Sequence, residues 1–207
     1  MNRLLFAFCF AGFGLVLLRP APAAADSFHK LPGEQGKTSP LLMRVVRYAG
    51  STNGAITVEV KNPTDEPQEF SAKGIYFVPT GSPNEAPQRL GAVGPFQLQS
   101  SNGPQRLKHT TIAPGATERL TLDVYCIDSH RASPSSATSF RVAKDRVPPP
   151  LMRAIDAGAE KSAAHYGGVS AAAAKPAVQY EVWKNRDDKW IELDGEGKQE
   201  AAQSRRR

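Results

Sequence analysis

The chain has 207 residues, with 17 Gly, 17 Pro, 40% hydrophobic and 22% charged residues, enough for one ordinary domain with appendages and too short for two large ones. Those fractions are close to the globular average, which excludes wholesale disorder and a polytopic membrane protein. The formal net charge is +6, but setting aside Arg3 and Arg19 with a targeting segment leaves 24 basic against 20 acidic residues, three of the basic ones being Arg205, Arg206 and Arg207. A near-neutral body gives no electrostatic footprint for nucleic acid.

Residues 1–25 read as a signal peptide. Met1-Asn2-Arg3 supplies a positive start, Leu4 to Leu18 is a 15-residue apolar run, and Ala23-Ala24-Ala25 precedes Asp26 as a small-residue cleavage site. The run is short for a permanent membrane helix and no second one follows, so the expectation is a secreted or periplasmic protein without a transmembrane segment after processing. Cys9 lies within the apolar run and leaves with it, which makes Cys126 the single cysteine of the mature chain and excludes an intrachain disulfide.

Residues 26–40, rich in turn formers and without an apolar period, read as a flexible leader. Strand patterns then recur. Leu41 to Ala49 and Ala55 to Lys61 read as a hairpin, with Ile56, Val58 and Val60 on one face. Asn62-Pro63-Thr64-Asp65-Glu66-Pro67 is a dense turn, and Phe70 and Ile75 to Val78 mark further strands broken at Gly74. Leu90 to Leu98 is a weak strand pattern, interrupted by Gly91, Gly94 and Pro95, and Arg106 to Ile112 is a short run. The clearest strand is Glu118 to Asp128, with Leu120, Leu122, Val124 and Cys126 on the core face. About seven short strands in roughly 90 residues predict a mainly β fold, an antiparallel immunoglobulin-like β-sandwich over 41–128, with a small barrel as the alternative.

Residues 129–194 read as a Pro/Ala-rich segment with two short helices. One starts near Leu151, with Met152 and Ile155 on its apolar side; the other starts at Pro176, with Val178, Gln179, Val182 and Trp183 on one face. Residues 195–207 read as a disordered basic tail, and both ends are expected to be dispensable.

Few residues invite chemistry. His29, His109, His130 and His165 are scattered, no phosphate-cradling loop or paired-cysteine spacing occurs, and nothing asks for a metal or cofactor. Cys126, Asp128 and His130 lie two apart and would share a face if the strand continued, which is the basis of a Cys/His hydrolase reading. A lone cysteine on an apolar strand face is also simply core.

Val124-Tyr125-Cys126-Ile127-Asp128, followed later by Val178-Gln179-Tyr180-Glu181-Val182-Trp183, resembles the thioester domains of bacterial surface adhesins, with Val178 and Glu181 departing from that family's Thr and Ala. The resemblance implies an internal thioester between Cys126 and Gln179 that couples to amines. The reading of the residues themselves is an exported, non-catalytic binding or structural module, its ligand a protein or glycan, with contact surfaces at 79–88 and 91–104 and an aromatic patch at Tyr76 and Phe77.

Overall fold

The computed structural model describes residues 27–34, 37–50, 54–100, 103–153, 156, 171–188, 192–198, 200 and 202. The expected signal peptide, Ile155, His165 and the terminal Arg205 to Arg207 lie outside the described residues. The described residues hold ten strands: β1 (His29–Pro32), β2 (Thr38–Tyr48), β3 (Ala55–Lys61), β4 (Gln68–Ser71), β5 (Tyr76–Pro79), β6 (Leu90–Ser100), β7 (Gly103–Leu107), β8 (His109–Ile112), β9 (Thr117–Cys126) and β10 (Phe140–Val142). Helix α1 (Ala171–Asp188) follows, and a helical turn covers 149–153.

The protein is mainly β and antiparallel. Eight strands form one sheet in the order β1-β2-β3-β9-β6-β5-β10, with β7 paired to β6, while β4 and β8 make a separate two-stranded ribbon. The large sheet curls until Tyr48 of β2 meets Phe140 of β10 edge to face, their ring centroids 5.3 Å apart. This near-closed, barrel-like sheet is closer to the barrel alternative than to two facing sheets of similar size. The ribbon folds across its interior, where Phe70 of β4 packs on Phe96 of β6 at 5.2 Å.

The alternation seen in the sequence sets this interior. Ile56, Val58 and Val60 of β3 and Leu120, Leu122, Val124 and Cys126 of β9 are all buried in one core. β3 and β9 pair without interruption from Ala55 opposite Asp123 to Lys61 opposite Thr117, which sets Ile56 beside Leu122 and Val58 beside Leu120. β6 is where the pattern was weak, and the reason is a bulge. Its register against β9 shifts between Ala92 and Phe96, the interval that holds Gly94 and Pro95, and a bulge is where a sheet accommodates residues that weaken the ladder.

Four boundaries differ from those read in the sequence. The supposed leader supplies β1 and the start of β2; four residues containing one large aliphatic side chain, Leu31, carry too little period to register as a strand. The Gly/Pro-rich stretch 91–104, expected as a contact loop, lies mostly in the long β6 and in β7. α1 begins five residues before Pro176, which lies inside it and cannot donate to an earlier carbonyl. Among the described residues beyond Gly195, Gly197 and Glu200 are buried.

A second apolar cluster lies on the other face of the sheet, where Tyr125, Ile127, Val147, Leu151, Val178, Val182 and Leu193 pack together. Tyr76 and Phe77 divide between the two: Phe77 faces the interior and Tyr76 the second cluster, and both are buried. They form no surface patch.

Candidate functional site

Helix α1 lies against β9 and brings Gln179 to Cys126. Among the described residues β3 reaches β9 only as far as Ala55 opposite Asp123, with Val124 N–H donating to the Gly54 carbonyl at 3.1 Å, while β9 runs on to Cys126. There the Gln179 side chain pairs with the main chain of Cys126. Cys126 N–H donates to Gln179 Oε1 and Gln179 Nε2 donates to the Cys126 carbonyl, each at 2.8 Å. The Cys126 side chain belongs to the interior cluster and is fully buried. Burial pushes its thiol up to about 12, with the negative charge of Asp128 adding to the effect. Trp183, one turn beyond Gln179, donates through Nε1 to Gln88 Oε1 at 2.9 Å.

The strand ends at Cys126, so Asp128 and His130 do not continue its face. Asp128 is enclosed by Arg89: Nε donates to Oδ2 at 2.8 Å, Nη2 to Oδ1 at 2.5 Å and the Arg89 main chain to Oδ2 at 3.1 Å. Both side chains are fully buried. His130 turns to Glu200, with Nε2 2.5 Å from Oε1. The cysteine, carboxylate and imidazole therefore belong to different groupings, and the sequence spacing that suggested a Cys/His pair does not survive the end of the strand.

Arg89 is the hub of a buried charge cluster that holds the C-terminal segment. Its Nη1 donates to the carbonyls of Leu193 and Asp194, both at 3.3 Å. Arg186 of α1 donates to Glu196 at 2.7 Å, Arg131 grips Glu200 through Nε at 2.8 Å and through Nη2, and Arg141 donates to Asp194 at 2.8 Å. Burial alone would raise the Asp128 carboxyl, but the Arg89 bonds and charge outweigh it and hold it below the ordinary carboxylate range.

A wide opening lies elsewhere, at the seam of the barrel. β1 and β10 end the sheet order. The seam narrows where Tyr48 meets Phe140 and opens between residues 30–39 and 144–156 into a cavity of about 940 Å³. Its floor includes Leu31, Pro32, Gly74, Val147 and Met152, all buried. Gly74 has φ +79°, a left-handed turn conformation, and a Cβ there would come within 3.0 Å of Met152 Cε. Six basic and three acidic residues line the cavity. Arg146 ties the walls together: Nε donates to the Pro32 carbonyl at 3.0 Å and Nη2 to the Ser71 carbonyl at 3.2 Å, and Nη1 reaches the Lys73 carbonyl.

The sequence reading missed this cleft because its two walls come from segments read as leader and linker. A pairing signal existed only in Leu31 and the Val147-Pro148-Pro149-Pro150 run, neither of which has a period. No helix among the described residues is long and apolar enough to cross a membrane. No protein-family model matches the chain, and no curated protein matches it.

Proposed function

We propose that the protein is an exported, non-catalytic binding module of the cell envelope or extracellular space, and that its ligand occupies the seam cleft. The observation that carries this reading is the cleft itself, a 940 Å³ opening with an apolar floor and a charged rim. Concave sites of this order, mostly apolar with a few polar groups, are the usual form of ligand pockets. The curled sheet serves the cleft as an immunoglobulin-like scaffold serves its loops, by fixing the positions of segments that have little structure of their own. Export rests on the N-terminal pattern of charge, apolar run and alanine site.

Thr38 is exposed at the cleft wall, so Thr38→Trp fills the opening without disturbing the core. Wild type and variant are compared against peptide and oligosaccharide panels, with thermal melts as the folding control. The proposal predicts a ligand that binds wild type and is lost with Thr38→Trp at unchanged melting temperature. A ligand held equally by both proteins would contradict it.

A second reading keeps Cys126 and Gln179 as a thioester pair, favoured by one observation: α1 delivers the Gln179 amide to Cys126. Both ends of that amide are hydrogen-bonded to main chain, and the thiol lies in the apolar interior, which supports packing as its role.

A further inference from the structure

We infer that the cleft takes an acidic peptide segment in extended conformation, a reading that rests on the cleft being the ligand site. Three observations lead to it. The first is charge. Lys73 is paired with Asp156, and Arg146 is spent on main-chain carbonyls and on Glu34 at 3.6 Å. Lys30, Lys37 and Arg153 have no acidic partner among the described residues and are exposed at the rim; Lys144, also exposed, lies near Asp194, which accepts from its main-chain N–H at 3.2 Å, and Asp145 is the one lining carboxylate outside these pairs. An occupant bringing two or three carboxylates completes this balance.

The second is architecture. The cleft lies between β1, an end of the sheet order hydrogen-bonded to one neighbour only among the described residues, and the segment that follows β10. β1 therefore presents its outer main-chain edge toward the opening, and a strand laid beside it continues the antiparallel order. Pro32 has no N–H to offer and its carbonyl is taken by Arg146, and a strand paired on one side turns only alternate residues to its free edge, so the pairing groups are those of Lys30. An extended chain places alternate side chains on opposite sides, one set toward the floor at Leu31, Val147 and Met152 and the other toward the lysine rim.

The third is the character of the lining, which contains no aromatic side chain among the described residues. Single-stranded nucleic acid is held by stacking bases on aromatic rings, and an aromatic face with its polar edge is the natural platform for a sugar ring. An aliphatic floor with ammonium groups above it suits aliphatic and acidic side chains instead.

The experiment is a calorimetric titration of the full mature chain with an end-blocked seven-residue peptide of alternating Glu and Val. Probes of alternating Gln and Val and of alternating Lys and Val, and a heparin oligosaccharide, are run beside it. The Glu/Val peptide is expected to bind, to weaken as salt rises from about 50 to about 500 mM, and to lose at least tenfold in affinity in Lys30→Glu/Lys144→Glu. The milder Lys30→Gln/Lys144→Gln serves if the reversal does not fold, and should lose less. Equal binding of Gln/Val overturns the acidic selectivity while leaving the cleft as a binding site. Heparin binding through the same lysines without peptide binding overturns the peptide assignment alone. No binding by any probe, or binding indifferent to Thr38→Trp, overturns this inference; only the panel comparison with Thr38→Trp decides the broader proposal.

Discussion

The Gln179 side-chain amide pairs with both main-chain groups of Cys126, each hydrogen bond 2.8 Å long. A side chain here makes the pair of hydrogen bonds that a neighbouring strand would make, beyond the described start of β3 at Ala55. The same pair that a resemblance to thioester domains singles out is thus joined through the backbone. In the packing account the mature protein has its full mass and a thiol protected in the native state but reactive on unfolding. A mass about 17 Da low from loss of ammonia, with a thiol released by methylamine, would establish the thioester instead.

Replacing either member separates the two roles further. Gln179→Ala strands a buried N–H and a buried carbonyl, each costing about 1–3 kcal/mol when left without a partner. Cys126→Ala removes one small buried side chain and is expected to cost on the order of 1–2 kcal/mol. Denaturant titration should therefore rank Gln179→Ala as the more damaging. The reverse order would mean that the amide is not what holds α1 to β9.

Acid should unfold the protein through its paired carboxylates. The hydrogen bond from Arg119 holds Glu59 below the ordinary range, and that from Arg141 does the same for Asp194. Burial raises Asp128 and Glu200, but Arg89 and Arg131 respectively outweigh it. Such groups stabilise the fold fully above their unfolded values near about 4 and cease to do so as pH falls through their lower folded values. Glu196 has the opposite sign: burial raises it, so the fold gains stability as pH drops from its folded value to its ordinary one. Four lowered groups against one raised group predict a melting temperature nearly level from neutrality to about pH 5 and falling below about pH 4. A transition centred near pH 6 would point to histidine instead.

The C-terminal segment is predicted to be structural. Deleting 193–207 leaves Arg89 without the Leu193 and Asp194 carbonyls, and Arg186 and Arg131 without Glu196 and Glu200. Removing one partner of a buried pair costs about 3–5 kcal/mol, and less where Arg89 and Arg186 keep Asp128. The truncated chain should melt well below the full one, whereas a tail that is only a solvated appendage would leave the midpoint unchanged.

The strands of the interior were legible because burial on one face writes a two-residue period, as in Ile56, Val58, Val60 and in Leu120, Leu122, Val124, Cys126. What holds the ends was not. Nothing in the local sequence marks Arg89, Asp128, Arg186 and Glu200 as a buried cluster, since a buried ion pair has no local pattern and Arg89 and Asp128 are 39 residues apart. Asn62 shows the same limit: fully buried, it donates to the carbonyls of Glu66 and Ile112 and accepts from Thr64, organising a turn in which only the prolines stood out. The cleft was hidden for a related reason. It is made by bringing residues 30–39 against 144–156, and neither segment is periodic.

Amide hydrogen exchange, with and without the Glu/Val peptide at saturating concentration, tests the central claim most directly. The account predicts that added protection falls on 30–39 and 144–153, in the two walls of the seam cleft, while the exposed loop at 80–85 and the β6–β7 hairpin exchange as before. Protection confined to 80–85 or to that hairpin, with the seam unchanged, would contradict it.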